Sequence, residues 1–245
     1  YELCRRLEFK NLLGRFDAEA VPENTIEQNF FVCSELSGVE ALFEKAARNS
    51  MAGIALIADK NNVYGLGIAL EKEEVYYIPA EGLLSGEYLC EKLRKLGEAT
   101  VISAMDIKML LKYVESLEPE RVFDLGIGAY LLNPLKSSYT YEDIAREYIG
   151  GISIPSREEL LGKDTYEKAW EKSSENMGIC ACYQAFTAYA AREKTEAKLK
   201  ETGMWQVYTD IELPLVFTLD SMEKCGICVK GEELKAYGER LSVRI

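Results

Sequence analysis

Carboxylates are the side chains of this chain that could do chemistry, because its 245 residues contain no histidine. Without histidine, no Ser–His or Cys–His nucleophile pair can form. Carboxylates can instead hold hard divalent cations such as Mg²⁺, which activate water for hydrolysis. Three aspartates that follow apolar segments, Asp59, Asp106 and Asp124, could form such a site. Three carboxylates without a fourth ligand or a base would bind a metal weakly.

Each of these aspartates also has a structural interpretation. Asp59 precedes Lys60-Asn61-Asn62 and is typical of a polar turn. Asp106 and Asp124 precede segments with helical patterning, where an aspartate accepts hydrogen bonds from the free N–H groups of the first turn. The sequence therefore favours turn and capping roles over a metal site built from all three.

Seven cysteines are present, an odd number, and no secretory segment is apparent. This pattern predicts reduced thiols and a cytoplasmic protein. The spacing Cys225-x-x-Cys228 is compatible with a redox pair or half a zinc site. With no second pair of this kind, we expect both thiols to be small apolar side chains in a turn. Cys180 and Cys182 are predicted on an apolar helix face.

The chain is acidic, with a net charge of −12. Nearly all the excess lies before residue 194, since residues 194–245 hold eight basic and nine acidic residues. DNA binding relies on lysine and arginine, so the chain alone is expected to bind DNA weakly or not at all. An acidic surface also suits an interaction module for a basic partner. No apolar run is long enough to span a membrane, and a monomer is expected.

The elements that must position these residues follow from hydrophobic patterning. Apolar runs joined by short polar connections predict antiparallel hairpins. Alternating strands and helices then predict βα units, so the whole reads as a mixed sheet with helices on its faces. The predicted strands are Phe30–Cys33, Gly53–Ala58, Val63–Leu70, Val75–Ile78, Thr100–Ala104 and Arg121–Phe123. The helices between them are predicted at Glu87–Leu96 and Ile107–Leu117.

Other helices are marked by caps and breakers. Ser37 and Glu40 have the spacing of a capping box, and Thr140 precedes a helix over Tyr141–Ile149. One long helix is predicted from about Thr165 to Leu199, with Gly178 as its weak point. A further helix begins near Tyr208, and Pro214 must either lie in its first turn or kink it. The last helix covers Glu232–Leu241.

Two segments of the chain resemble a known family. Phe123-Asp124-Leu125 leads into Ala129-Tyr130-Leu131-Leu132-Asn133-Pro134, and Ile211-Glu212-Leu213-Pro214 leads into Met222-Glu223-Lys224-Cys225-Gly226-Ile227. The first resembles a helix in the 3′–5′ exonuclease domain of bacterial family A DNA polymerases, the DNA polymerase I family. The second resembles the opening of their polymerase domain. The resemblance extends over nearly all of the chain.

The resemblance implies an α/β, RNase H-like exonuclease fold followed by helices of the polymerase thumb. It divides the chain into a connector (residues 1–20), an exonuclease-like domain (21–192) and the start of the thumb (193–245). The family's polymerase motifs lie past the equivalent of Ile245, so a fragment of a longer polymerase is expected.

Active members of this family hold two metals with four carboxylates from three motifs, Asp-x-Glu, Asn-x-x-x-Asp and Tyr-x-x-x-Asp. The corresponding positions here are Ile57, Asp59, Asp106, Leu110, Ile179 and Tyr183, the last pair placed to within one residue. Only Asp59 keeps a metal-binding carboxylate at its position. We also expect apolar side chains to fill the vacated site.

The implied function is that of a vestigial, inactive 3′–5′ exonuclease domain that supports the polymerase module in DNA replication and repair. It would have no catalytic residue, metal or cofactor of its own. Mg²⁺ and DNA are expected to bind the polymerase of the whole protein. Two alternatives remain open: an active metal-dependent 3′–5′ exonuclease with displaced ligands, and an acidic protein-interaction module.

Overall fold

A six-stranded sheet lies at the centre of the computed structural model, which describes residues 25–59, 62–150 and 152–243. The strand order is β1-β4-β3-β2-β5-β6. The strands are β1 (Phe30–Val32), β2 (Met51–Ala58), β3 (Val63–Glu71), β4 (Glu74–Pro79), β5 (Val101–Ala104) and β6 (Val122–Asp124). The predicted connector over residues 1–20, and the start of the next predicted domain at residue 21, lie outside the described residues.

The sheet is mixed, as the sequence predicted. β2, β3 and β4 form antiparallel pairs, which confirms the two hairpins. β1 is parallel to β4, and β5 is parallel to both β2 and β6. The C-terminal ends of β2, β5 and β6 therefore meet at one edge of the sheet. Ile54 pairs with Ala104, the last residue of β5, so β2 continues past its neighbour.

Helices cover both faces of the sheet. They are α1 (Leu36–Ala46), α2 (Gly86–Ala99), α3 (Ile107–Leu111), α4 (Leu125–Leu132), α5 (Tyr141–Ile144), α6 (Arg157–Leu161), α7 (Tyr166–Lys172), α8 (Ser174–Ala190), α9 (Arg192–Glu201), α10 (Trp205–Val207), α11 (Leu213–Cys225) and α12 (Gly231–Ser242). Single π-helical turns, Ala145–Gly150 and Tyr208–Glu212, follow α5 and α10, and short 3₁₀ turns cover Thr25–Asn29 and Pro119–Arg121. Among the described residues, no helix combines the length and apolar character needed to cross a bilayer.

The two faces of β2 belong to different hydrophobic clusters, because successive strand residues point to opposite faces. Ile54 and Leu56 pack with α1, α2 and α3, whereas Ala55 and Ile57 pack with α8. α8 lies very close to the sheet. A Cβ added to Gly53 would stand 2.3 Å from the carbonyl oxygen of Ala185, and one added to Gly67 would stand 2.4 Å from that of Ala181. Glycine at both positions lets the helix backbone rest on the strands.

Several predicted helix boundaries are wrong. α1 begins at Leu36 after Glu35, with no side-chain cap, so Ser37 does not form a capping box. α3 ends at Leu111 rather than Leu117, and the chain beyond it turns through Ser116 at φ 64°. Thr140 precedes α5 but its hydroxyl donates to Asp143 (3.1 Å) instead of capping.

The single long helix predicted from Thr165 to Leu199 is also wrong. It is interrupted at Ser173, whose hydroxyl caps α8 by accepting from Asn176 N, and again at Ala191. α8 continues through Gly178, where a Cβ would stand 2.7 Å from the Tyr77 ring. Pro214 lies in the first turn of α11, as one of the two predicted possibilities required. The predicted boundary between residues 192 and 193 falls at the start of α9.

Candidate functional site

A cleft of about 800 Å³ lies beyond the C-terminal ends of β5 and β6. Its floor includes Asp106 and Asp124, the residues that precede α3 and α4. One wall contains Tyr141 and Gln184, from α5 and α8, and the opposite wall is formed by α11 around Leu215. The cleft therefore sits at the sheet edge where the sequence placed its candidate carboxylates.

Asp124 joins three elements at this edge. Its Oδ1 accepts from the backbone N–H of Ile127 (2.9 Å), which caps α4, as the sequence predicted. Its Oδ2 accepts from the backbone N–H of Ile107 (2.7 Å), the first residue of α3. The hydroxyl of Tyr208 accepts from the Asp124 backbone N–H (2.7 Å). Asp124 is thus a structural residue that fixes the starts of two helices.

Burial changes the acidity of Asp124. The residue is 3% exposed, and the loss of hydration raises the pKa of its carboxyl to about 7, although hydrogen bonds from Ile127 and Ile107 oppose the change. The nearby charge of Asp106 raises the pKa further. Burial therefore favours the protonated form of the carboxyl, which disfavours metal ligation.

This raised pKa predicts a specific pH dependence of stability. An unfolded aspartate has a pKa of about 3.9, so the folded chain retains a proton that the unfolded chain has lost. The stabilisation is present below that value and is lost as the pH rises towards 7. In urea unfolding between pH 5 and pH 8, we expect the wild type to lose about 2 kcal/mol relative to Asp124→Asn. Parallel stability curves for the two proteins would contradict the assignment.

Asp106 is a helix cap, as the sequence predicted. Its side chain is exposed and accepts from the backbone N–H of Met109 (2.9 Å) at the start of α3. Asp106 and Asp124 both line the cleft. They are neighbours, but each carboxylate is already engaged with the backbone.

Asp59 points away from these two residues. Its carboxylate accepts from the hydroxyl of Tyr64 (2.7 Å) and from the backbone N–H of Asn62 (3.1 Å), at the connection between β2 and β3. It does not line the cleft. Within the described residues, no three Cys, Asp or Glu side chains are placed to share a metal ion. The arrangement gives no support to a site built from Asp59, Asp106 and Asp124.

None of the residues at the other family positions lines the cleft. Ile57, Leu110 and Tyr183 are all buried. Ile57 and Tyr183 belong to the cluster under α8, and Leu110 belongs to the other large buried cluster. Tyr183 donates a hydrogen bond to Glu27 (2.6 Å), and Ile179 is half-buried. That these side chains fill one vacated site stays a prediction.

Gln184 is the functional-site candidate that sequence reasoning missed. It lines the cleft, while its neighbour Tyr183 is buried behind it. Its amide donates a hydrogen bond to the sulfur of Cys180 (3.4 Å). Cys180 and Gln184 are four residues apart, which is the spacing of the third family motif. This pair lies one residue later than Ile179 and Tyr183. Gln184 is the one amide between Met177 and Ala191, a signal visible in the sequence.

Four cysteines belong to the two closely spaced pairs singled out in the sequence. Cys180 and Cys182 are buried in α8, as predicted, and burial raises the pKa of both thiols, which makes them inert. Cys225 and Cys228 are exposed, so the prediction that they act as apolar turn residues is wrong.

Comparison with curated proteins finds DNA polymerase I. The chain is 29% identical over 126 residues to that of Bacillus subtilis, a match that covers 50% of this chain and 14% of the relative. It is 23% identical over a 274-residue alignment to that of Pseudomonas aeruginosa, covering 98% and 30% respectively. The chain therefore spans less than a third of the length of either relative. No family model matches the chain.

Solved structures share the fold. The POL domain of Pol1 from M. smegmatis, in complex with a DNA primer-template and dNTP, matches with a TM-score of 0.64 at 16% identity, covering 86% of this chain and 35% of the other. Brucella melitensis NrnC bound to pGG matches with a TM-score of 0.59 at 13% identity, covering 80% and 93%. The RNase H-like exonuclease fold and the resemblance to part of a family A DNA polymerase are confirmed.

Proposed function

We propose that this chain is a polymerase-associated exonuclease domain that has lost its nuclease chemistry and now supports the polymerase module. The observation that carries the proposal is that apolar residues occupy metal-ligand positions of the family. Ile57 and Leu110 stand at two of the positions where the family places metal-binding aspartates, and both are buried among apolar side chains. Neither can ligate Mg²⁺, which requires oxygen ligands.

An active exonuclease with displaced ligands is the less favoured alternative. Asp106 and Asp124 would have to leave their backbone partners to ligate a metal. Asp59 is held by Tyr64 at another place on the edge. The cleft residue Gln184 offers a neutral amide where a carboxylate is needed.

The role of the whole protein is proposed from its relatives, which are much longer than this chain. We assign DNA binding, Mg²⁺ dependence and participation in replication and repair to a whole cytoplasmic polymerase. Residues 21–192 and 193–245 are proposed as the exonuclease-like domain and the start of the thumb. Contacts support a structural role, since Thr195 of α9 packs closely on Gly128 of α4 and Tyr208 bonds to Asp124. The chain by itself is proposed to be a monomer without a cofactor.

The proposal predicts that the chain does not shorten DNA. An end-labelled single-stranded oligonucleotide incubated with the chain and either Mg²⁺ or Mn²⁺ should keep its full length on a denaturing gel. A polymerase with an active 3′–5′ exonuclease serves as the positive control. Shortening that disappears in an Asp59→Ala or Asp124→Asn variant would show that a displaced metal site works, and the proposal would fail.

A further inference from the structure

We propose that the cleft binds a basic peptide segment of a partner protein, in which arginine or lysine alternates with apolar residues. The charges that line the cleft are unbalanced. Besides the buried Asp124, four carboxylates and two cationic side chains line it: Asp106, Glu142, Glu158 and Glu212 against Lys108 and Arg157. A cleft lined with one sign of charge attracts groups of the opposite sign.

The two cationic side chains are already engaged. Lys108 forms an ion pair with Glu223 of α11, whose carboxylate accepts a hydrogen bond from its ammonium group. The guanidinium of Arg157 donates to the backbone oxygen of Asp164 (2.8 Å) and lies over the Tyr166 ring, 4.8 Å from its centre. Neither group is directed at the carboxylates of the cleft.

Glu142 and Glu212 are cleft carboxylates without a cationic partner. Among the residues that the structure describes, neither has a salt bridge. A guanidinium or ammonium group entering the cleft would supply that partner through a charge-assisted hydrogen bond.

The apolar part of the ligand is indicated by α11. Leu215 and Leu219 form a wall of the cleft and are exposed. Ile211 and Met222 are also exposed and extend this row along the helix at spacings of four and three residues. A row at this spacing lies on one helix face. A contiguous exposed apolar surface beside charged groups marks an interaction site.

Charge decides between a peptide and a nucleic acid. A phosphate backbone carries negative charge and needs cationic partners, whereas this cleft presents carboxylates whose neighbouring cations are occupied. An arginine side chain matches carboxylates geometrically through its fork of donors, and its alkyl stem can lie along Leu215. The charge complementarity therefore favours the peptide.

Fluorescence anisotropy on the whole 245-residue chain tests this assignment. The probe is a fluorescein-labelled, amidated Leu-Arg-Leu-Leu-Arg-Leu peptide, and its counterpart replaces both arginines by neutral citrulline. We expect the arginine peptide to bind and the citrulline peptide to bind at least about tenfold more weakly. The double variant Glu142→Gln and Glu212→Gln should weaken binding of the arginine peptide by about tenfold.

A matched double variant controls for the overall acidity of the chain. Glu171→Gln and Glu201→Gln remove the same charge from exposed positions on α7 and α9, outside the cleft, and should leave binding unchanged. Leu215→Ser should weaken binding without changing any charge. Unfolding midpoints in urea verify that each variant is folded, and Glu212→Gln alone provides the test if the Glu142 substitution impairs folding.

Three results would overturn the proposal. The first is no binding of the arginine peptide to the wild type. The second is equal loss in both double variants, which would mean attraction to the acidic surface in general. The third is binding of a single-stranded octathymidylate that is lost in Leu215→Ser, which would make the cleft a nucleic-acid site. The assay measures binding rather than hydrolysis, so its outcome is independent of the proposed loss of nuclease activity.

Discussion

Leu110→Asp is expected to lower the free energy of unfolding by roughly 2–4 kcal/mol and to produce no nuclease activity. Leu110 is 2% exposed and lies in the large buried cluster that also holds residues of β5, β6 and α11. The substitution removes this burial and places a carboxyl group among apolar side chains, where it must lose its charge or pull in water. Restoring one acid at a family position also leaves the other metal ligands missing.

Urea denaturation of wild type and variant measures the loss, with the end-labelled oligonucleotide assay beside it. Lys112→Asp introduces the same side chain at an exposed position one residue after α3 and should cost less than about 1 kcal/mol. An unchanged midpoint for Leu110→Asp would mean that Leu110 faces solvent. The placement of the second family motif at Asp106 and Leu110 would then be withdrawn.

Gly53→Ala is expected to destabilise the chain by roughly 3 kcal/mol or more, because the added methyl group has no space. It would stand 2.3 Å from the carbonyl oxygen of Ala185 and 2.7 Å from the backbone nitrogen of Tyr189. Both atoms belong to the backbone of α8, so no side-chain rotation relieves the contact. The helix has to lift from β2, which disturbs the packing of Ile57 beside it.

Chemical denaturation again provides the measurement. Gly238→Ala is the control, since a Cβ at Gly238 in α12 meets nothing within 4 Å. That change should be neutral or add up to about 1 kcal/mol of stability, because alanine is the better helix former. If Gly53→Ala were as well tolerated as Gly238→Ala, α8 could not rest on the sheet as described.

The sheet was largely predictable because its signals are local. Neighbouring apolar runs separated by only four polar residues, 59–62 and 71–74, can pair with each other only as hairpins, and the strands β2, β3 and β4 do so. The helix breaks at Ser173 and Ala191 were missed. Ser173 was overlooked as a cap, although its hydroxyl accepts from Asn176. Ala191 has no local breaker, and it is buried in the core.

The sequence by itself determined which side chains stand at the sheet edge and which bonds they make within a few residues. The capping hydrogen bonds of Asp106 and Asp124 each join residues three positions apart. The absence of carboxylates at Ile57 and Leu110 follows directly from the residue types at those positions. Only the tertiary structure decided that Leu110 and Ile57 belong to different buried clusters and that Gln184 rather than Tyr183 lines the cleft. It also decided that Asp124 is buried against α3. The choice between Gln184 and Tyr183 depends on how α8 is rotated about its axis as it lies on Gly53 and Gly67. Contacts between residues more than a hundred positions apart set that rotation, and no local pattern contains them.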